Sequence, residues 1–427
     1  MKKELASKYG KNVKNILVFW PVVLIKVMGA GLSLFLTIEV SRRLGLVDSG
    51  VYFYVITFYS ALAMISLVGT PAAVTKYTAI EFQNQNYLNV VSVLKSALLI
   101  SSGPIVFIYV YFTFDIFDSL EWLINDDVTR VLIYENLEVV LLIAMGMLFS
   151  ASLKGQGKAF FAVFYESFLL SFLLLLLVYK WPVNISANLM ITFYKNSLFW
   201  PLLFISFFII YKLGLKSAKV KIYNIKKMYT TSIPLMQTSI MVIIMSVTDV
   251  IVIGFYGDSS DISLYNAASK IAAVGALFLV LINIIISPKL AVLYESNRLS
   301  ELKSIVNVSL LISSTTAIVI FVIIFLNAKP MLSFFGSGFE RSVNTLILLS
   351  IGQAVLLATG PSSSFMMMCG QGVKLRKSSI YAMLLNLILN LILVPIFSIE
   401  GAAFSTSVSL VVKNIMNLKV MMNMVKI

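Results

Sequence analysis

Charge is scarce in this sequence, and the charges that could do chemistry stand inside apolar runs. Lys26 and Glu39 fall in the first run, Glu135 and Glu138 in the fourth, Glu166 in the fifth and Lys195 in the sixth. Asp249, Lys270 and Lys413 fall in the seventh, eighth and twelfth. A Lys or Asp at the centre of a membrane helix costs about 2.5–3.5 kcal/mol on insertion scales, so such a residue turns to a bundle interior or a wet cavity. Lys26 lies too deep to reach the headgroups easily, and Pro21 before it frees a backbone carbonyl and can kink the helix. Lys26, Lys195 and Lys270 are therefore the candidate ligands of an anionic substrate. Asp249 is the candidate for a coupling ion or proton, or the partner of a cavity lysine. Glu166 is the candidate for an ion pair with a neighbouring cation. Each of these charges also has a purely structural use, as a buried pair that holds two helices together.

Other chemistries lack their residues. There is no histidine, so no imidazole serves as metal ligand, general base or pH switch. Cys369 is the one cysteine, so no intrachain disulfide forms. Gly157-Lys158 lacks the first glycine of a phosphate-binding loop, which removes that route to ATP hydrolysis. No cofactor and no metal are expected. Gly155-Gln156-Gly157 and Gly370-Gln371-Gly372 fit tight turns, where glycine supplies a positive φ.

These residues must be positioned by membrane helices. Of 427 residues 59% are hydrophobic and 12% charged, with a mean hydropathy of +0.95. Soluble chains carry about 25% charged residues, so this one has too little polar surface to face water. A hydrocarbon core of roughly 30 Å needs about 20 apolar residues per helix. Twelve spans are predicted, at about 16–40, 51–70, 90–112, 131–152, 159–179, 189–211, 231–255, 263–286, 304–327, 343–368, 378–397 and 401–421. They are numbered 1 to 12 below. The apolar run after MKKELASKYGKNVKN contains Lys26 and no small-residue cleavage site, so no cleavable signal is expected.

The net charge of +14 would suggest nucleic acid in a soluble protein. Here it is a topology signal, and no nucleic acid is expected. With the N-terminus inside, 22 Lys and Arg lie in cytoplasmic segments and six outside: Arg42, Arg43, Arg130, Lys180, Lys329 and Arg341. Both termini are therefore expected in the cytoplasm. The outer loop 114–130 is acidic, with Asp115, Asp118, Glu121, Asp126 and Asp127.

The chain also begins again near its middle. Pro21 to Tyr52 and Pro234 to Tyr265 are both 31 residues, at an offset of 213. Pro-x5-Tyr recurs at Pro71–Tyr77 and Pro288–Tyr294, offset 217, and Gly-Gln-Gly recurs at an offset of 215. Six spans per half make the duplication parallel, with a pseudo-two-fold along the membrane normal. The expected organisation is a lobe at 1–211, a basic cytoplasmic linker at 212–230 and a lobe at 231–427. Such lobes enclose a central cavity, and transporters hold substrate there.

Several stretches resemble polysaccharide flippases. Ser41-Arg-Arg-Leu-Gly-Leu-Val-Asp-Ser-Gly-Val-Tyr52 is similar to their stretch after the first helix, and Leu264-Tyr-Asn-Ala-Ala-Ser-Lys270 to the one opening helix 8. Ser287-Pro-Lys-Leu-Ala-Val-Leu-Tyr294, Thr359-Gly-Pro361 and Pro395–Ala403 also match, with Ser398 in place of the first glycine of the last pattern. The resemblance implies the multidrug/oligosaccharidyl-lipid/polysaccharide exporter superfamily, in its O-antigen flippase (Wzx-type) branch. It implies an all-α, MATE-like polytopic protein of the bacterial inner membrane. Such a protein moves undecaprenyl-pyrophosphate-linked oligosaccharides to the periplasmic leaflet, among membrane lipids, beside the polysaccharide polymerase and chain-length machinery. Lys26, Lys195 and Lys270 have the sign a pyrophosphate headgroup needs. The alternatives are a cation-coupled drug antiporter, which would want an acidic cavity, and a membrane glycosyltransferase or O-antigen polymerase, which would want a long outer loop.

Overall fold

The computed structural model describes residues 2–114, 126–181, 185–212 and 222–425, with backbone alone at 2–19, 204–212, 288 and scattered positions from 234 to 246. Asp115, Asp118 and Glu121 of the acidic loop, residues 213–221 of the basic linker and Lys426 lie outside the described residues. Hydrocarbon offers a peptide group no partner, so a membrane chain must close its hydrogen bonds within helices. The described residues contain helices and no strand. Eight of these helices are long and apolar enough to cross a membrane.

Two of the eight hold two spans each. Lys2–Ser66 contains spans 1 and most of 2, broken at Gly45 with φ 73°. Gly372–Val425 contains spans 11 and 12, broken at Ser398 with φ 45° and ψ −125°. The chain reverses there so tightly that a Cβ on Gly401 would lie 2.4 Å from the Leu393 carbonyl oxygen. Ser398 thus adopts the backbone of the glycine it replaces, and its Oγ donates to Asp261 Oδ2 at 2.8 Å. Span 2 runs beyond its expected end: after Gly69 (φ 72°) a helix continues as Thr70–Gln83. Its polar residues need not be in hydrocarbon, so hydropathy does not register them.

Four connections share one geometry. A helix ends with unpaired carbonyls, and a residue in the left-handed conformation turns the next N–H back onto them. Gln85 (φ 59°), Gly157 (φ 73°), Asn297 (φ 56°) and Gly370 (φ 74°) are those residues. After them Asn86 N–H donates to Glu81 O (2.9 Å), Lys158 to Leu153 (2.9 Å), Arg298 to Leu293 (3.0 Å) and Gln371 to Met366 (2.8 Å). The turns repeat at 297 − 85 = 212 and 370 − 157 = 213, in step with the Pro–Tyr offset. The Gly-Gln-Gly triplets are two residues out of step, because the turn uses the last glycine of the first and the first glycine of the second.

The compact units do not follow chain order. One is Met1–Leu36 with Val55–Ile243, the other Thr37–Tyr54 with Ile244–Ile427. Compared with the expected lobes, the segment around Ser41–Tyr52 joins the second unit and the first half of span 7 joins the first. In the second unit Ser49 Oγ lies 2.5 Å from Ser263 Oγ. A Cβ on Gly50 would sit 1.6 Å from the Ser259 carbonyl oxygen, so only glycine fits.

In the first unit the end of the linker is tied down. Tyr223 O–H donates to Glu81 Oε1 at 3.2 Å, Ser96 Oγ to the Tyr223 carbonyl at 3.1 Å, and Tyr77 Oη lies 2.7 Å from Thr231 Oγ1. Glu81 also accepts from Asn89 Nδ2 at 2.8 Å. The Asn89 bond, helped by Asn86, Tyr223 and the charge of Lys227, holds the Glu81 carboxyl below its usual range against the opposing effect of burial. A depressed carboxylate stabilises the fold above its unfolded pKa, and the effect is lost as pH falls through the folded value. Glu81→Gln is therefore expected to lower the melting temperature at neutral pH, with the gap to wild type closing in acid. Thermal unfolding in detergent across that range checks it, and a gap constant with pH would contradict it.

Candidate transport site

Asp249 is the most enclosed charge of the expected set, and the structure surrounds it with neutral donors. It stands two turns from the C-terminal end of the helix Ile225–Tyr256 and is 5% exposed. Asn390 Nδ2 donates to its Oδ1 at 2.8 Å, and Asn386 Nδ2 reaches the same oxygen at 3.4 Å. Thr406 Oγ1 donates to Oδ2 at 2.6 Å, and Tyr265 O–H donates to Oδ2 as well. Asn386 Nδ2 also lies 2.9 Å from Thr406 Oγ1. Span 8 thus supplies Tyr265, span 11 the two asparagines and span 12 Thr406. All belong to the second compact unit.

The local sequence explains the convergence. Asn386 and Asn390 are four residues apart and share one helix face. The break at Ser398 returns the chain so that Thr406 comes beside them. Both asparagines are essentially buried, at 1% and 0% exposure, and their Oδ1 atoms have no hydrogen-bond partner. Buried acceptors without donors are costly. A carboxylate with two idle amide oxygens nearby lacks an electropositive partner, and no ion pair involving Asp249 occurs among the described residues.

The lysines divide. Lys26 and Lys270 are exposed on their helices, and neither has an ion-pair partner among the described residues. Lys195 donates to Glu138 Oε1 at 2.8 Å, so its charge is already matched within the first unit. Glu166 meets a cation as expected: Lys154 Nζ lies 2.7 Å from Oε1 and 2.9 Å from Oε2, and Ser150 Oγ donates to Oε1 at 2.6 Å. Sequence reasoning missed Asn386, Asn390 and Thr406. The available signal was an Asn-x3-Asn pair within an otherwise apolar span. Tyr265 stands out in the sequence as one end of the repeated Pro–Tyr spacing and within the flippase-like Leu264–Lys270 stretch, and neither marks it as a ligand of Asp249.

Comparison with known proteins places this geometry. Residues 234–396 match the MatE family model. An inward-facing multidrug resistance MATE family transporter of the MOP superfamily superposes with TM-score 0.72, at 16% identity, over 95% of this chain and 98% of that one. The fold is that of the MATE transporters. The lipid II flippase MurJ, in an inward closed conformation, gives TM-score 0.73 at 17% identity over 94% of this chain and 87% of its own. Over 173 residues the chain is 28% identical to the probable low-salt glycan biosynthesis flippase Agl15 of Haloferax volcanii. That match covers 40% of this chain and 36% of the relative, so the chain spans about a third of the length of the curated relative it matches. This multi-pass, all-α membrane protein therefore shares the fold of the MATE transporters.

The Asp249 cluster makes a further prediction on stability. Tyr265→Phe removes one donor from a buried carboxylate and leaves the ring in place. A loss of about 1–2 kcal/mol is expected, read as a lower denaturation midpoint in detergent. An unchanged midpoint would show that the Tyr265 hydroxyl does not hold Asp249.

Proposed function

We propose that the protein is a flippase for lipid-linked oligosaccharides. It moves undecaprenyl-pyrophosphate-linked repeat units from the cytoplasmic to the periplasmic leaflet of a bacterial inner membrane, with both termini cytoplasmic, for O-antigen or a related surface polysaccharide. The observation that carries this reading is the pair of lysines, Lys26 and Lys270, held in membrane spans without an ion-pair partner among the described residues. A transporter of organic cations has no use for uncompensated ammonium groups on its path. A pyrophosphate does, since a desolvated ammonium is a good point-charge partner for phosphate. Two relatives lend support by their descriptions, one a probable glycan biosynthesis flippase and one a lipid II flippase. Lys195, already bonded to Glu138, joins the substrate only if that pair opens.

In this reading the lobes alternate in access, and Asp249 binds the coupling ion. Its carboxylate, the Tyr265 and Thr406 hydroxyls and the two asparagine amides offer oxygen atoms, which suit a hard cation or a proton. Among the described residues no three His, Cys, Asp or Glu cluster for a multivalent metal, and a single carboxylate fits a single positive charge. The second reading is a cation-coupled drug antiporter. The MatE match and the acidic Asp249 favour it, and efflux of a cationic dye by the expressed protein would decide for it.

Lys26→Ala is expected to abolish surface polysaccharide in a host that depends on this protein, while the protein still inserts. Losing one charged phosphate contact of about 1.5–3 kcal/mol weakens binding roughly tenfold or more. Normal polysaccharide with Lys26→Ala would remove the cavity assignment. Asp249→Asn is expected to erase the response to the driving ion. Calorimetric titration of the purified protein with sodium chloride, and transport in vesicles under a proton gradient, measure it. A wild-type response to both in Asp249→Asn would refute the ion assignment.

A further inference from the structure

The geometry points to a phosphate site in the first compact unit that is filled, in this conformation, by the protein's own carboxylate. Span 5 is not a regular helix: residues Phe164–Leu169 form a π-turn. Such turns insert an extra residue into a helix and occur often at functional sites. Glu166 is carried on that turn. Its two oxygens receive both bonds from Lys154 Nζ, at 2.7 and 2.9 Å, and the bond from Ser150 Oγ at 2.6 Å. Ser150 and Lys154 are four residues apart on the helix Glu138–Gly155 and share one face. A buried hydroxyl and an ammonium, side by side and aimed at one oxyanion, are the donors a phosphate oxygen takes.

A third donor on the same π-turn has no partner. Tyr165 Oη is buried and unbonded. It lies against span 4 at Gly146, where a Cβ would come 2.6 Å from it. Gly146 is one turn before Ser150, so Tyr165, Ser150 and Lys154 follow one another along a single helix face. The Glu166 carboxylate satisfies two of the three. The pair is also open: the Lys154 and Glu166 side chains are 42% and 38% exposed. An ion pair so exposed is held weakly, and a more highly charged anion competes for the ammonium. Span 1 approaches the same turn, since a Cβ on Gly29 would lie 2.7 Å from the Ser167 backbone. Lys26 is three residues before Gly29, on the adjoining turn of that helix.

We infer that Ser150 and Lys154, with Tyr165, bind a phosphate of the lipid-linked pyrophosphate near the cytoplasmic side, and that Glu166 is displaced from Lys154 when it binds. This rests on the flippase reading and adds residues to its binding site. Lys154 was otherwise a topology charge, and Glu166 a structural partner.

The test uses the full-length protein in detergent, titrated with inorganic pyrophosphate and with farnesyl pyrophosphate. Glu166→Gln removes the competing charge but can still accept from Ser150. It is expected to tighten binding of both probes several-fold, and Lys154→Gln to weaken it about tenfold. Lys154→Arg retains binding and serves, with melting curves, to separate a lost site from a lost fold. Tyr165→Phe is expected to weaken binding without a matching fall in stability. Binding unaffected by Glu166→Gln and by Lys154→Gln would overturn the proposal. So would displacement of farnesyl pyrophosphate by an equal amount of phosphatidylglycerol, which would make this a site for bulk lipid. Polysaccharide export separates the two readings. Normal export after deletion of the protein, with the titration results as expected, removes the flippase reading and leaves a phosphate site. Lost export with unaffected titrations removes this site and leaves the flippase.

Discussion

A polar group in hydrocarbon must find its partner inside the protein, because neither lipid tails nor water will supply one. That constraint orders most of what is seen here. Serine and threonine within the spans bond to carbonyls a turn earlier on their own helices, as Ser197 does to Phe193 at 2.8 Å and Ser405 to Gly401 at 2.7 Å. Helix ends at four connections close with the same left-handed turn. Side chains that cannot be satisfied within their own helix recruit other helices. Asp249 draws on three, Glu166 on the neighbouring span, and Glu81 on both the following helix and the linker.

The two halves share a scaffold and divide the polar work. The turns at Gln85 and Asn297, and at Gly157 and Gly370, repeat at nearly one offset, yet the charged positions do not. At 213 residues, Lys26 corresponds to Ser239 and Asp249 to Leu36. A duplicated frame needs the same backbone geometry twice, because the bilayer imposes it on both copies. It does not need the same ligands twice. The residues proposed to bind an anion near span 5 therefore lie in one unit and Asp249, proposed to take a cation, in the other.

The sequence was most legible where one residue reports one physical fact. Apolar length marked the spans, and the fold class followed from them. A lone charge in a span marked Asp249 and Glu166 as residues that must have partners. Partners themselves were harder to read. Glu138 and Lys195 lie 57 residues apart, and nothing in their types says which carboxylate meets which lysine. Neutral ligands were harder still: Asn386, Asn390 and Thr406 cost little to insert, so they do not stand out against apolar neighbours. The Gly-Gln-Gly match was informative about turn chemistry but misaligned by two residues, since either glycine of a triplet can take the left-handed position.

Ser398 shows how strain and site are joined. A non-glycine residue at φ 45° and ψ −125° is held there only by an environment that compensates the cost. Part of that environment is Asp261, which accepts the Ser398 hydroxyl. Asp261 is one turn before Tyr265 on the helix Ser259–Ala272, and Ser398 precedes Thr406 by eight residues on the returning helix. The two helices that the Ser398–Asp261 bond ties together are thus the two that bring hydroxyls to Asp249. A change at the carboxylate that moves Tyr265 or Thr406 must also load the bond between Asp261 and Ser398. The strained reversal thus holds together the two helices whose hydroxyls bond Asp249. An ordinary glycine at position 398 would make the same turn but would not carry that link.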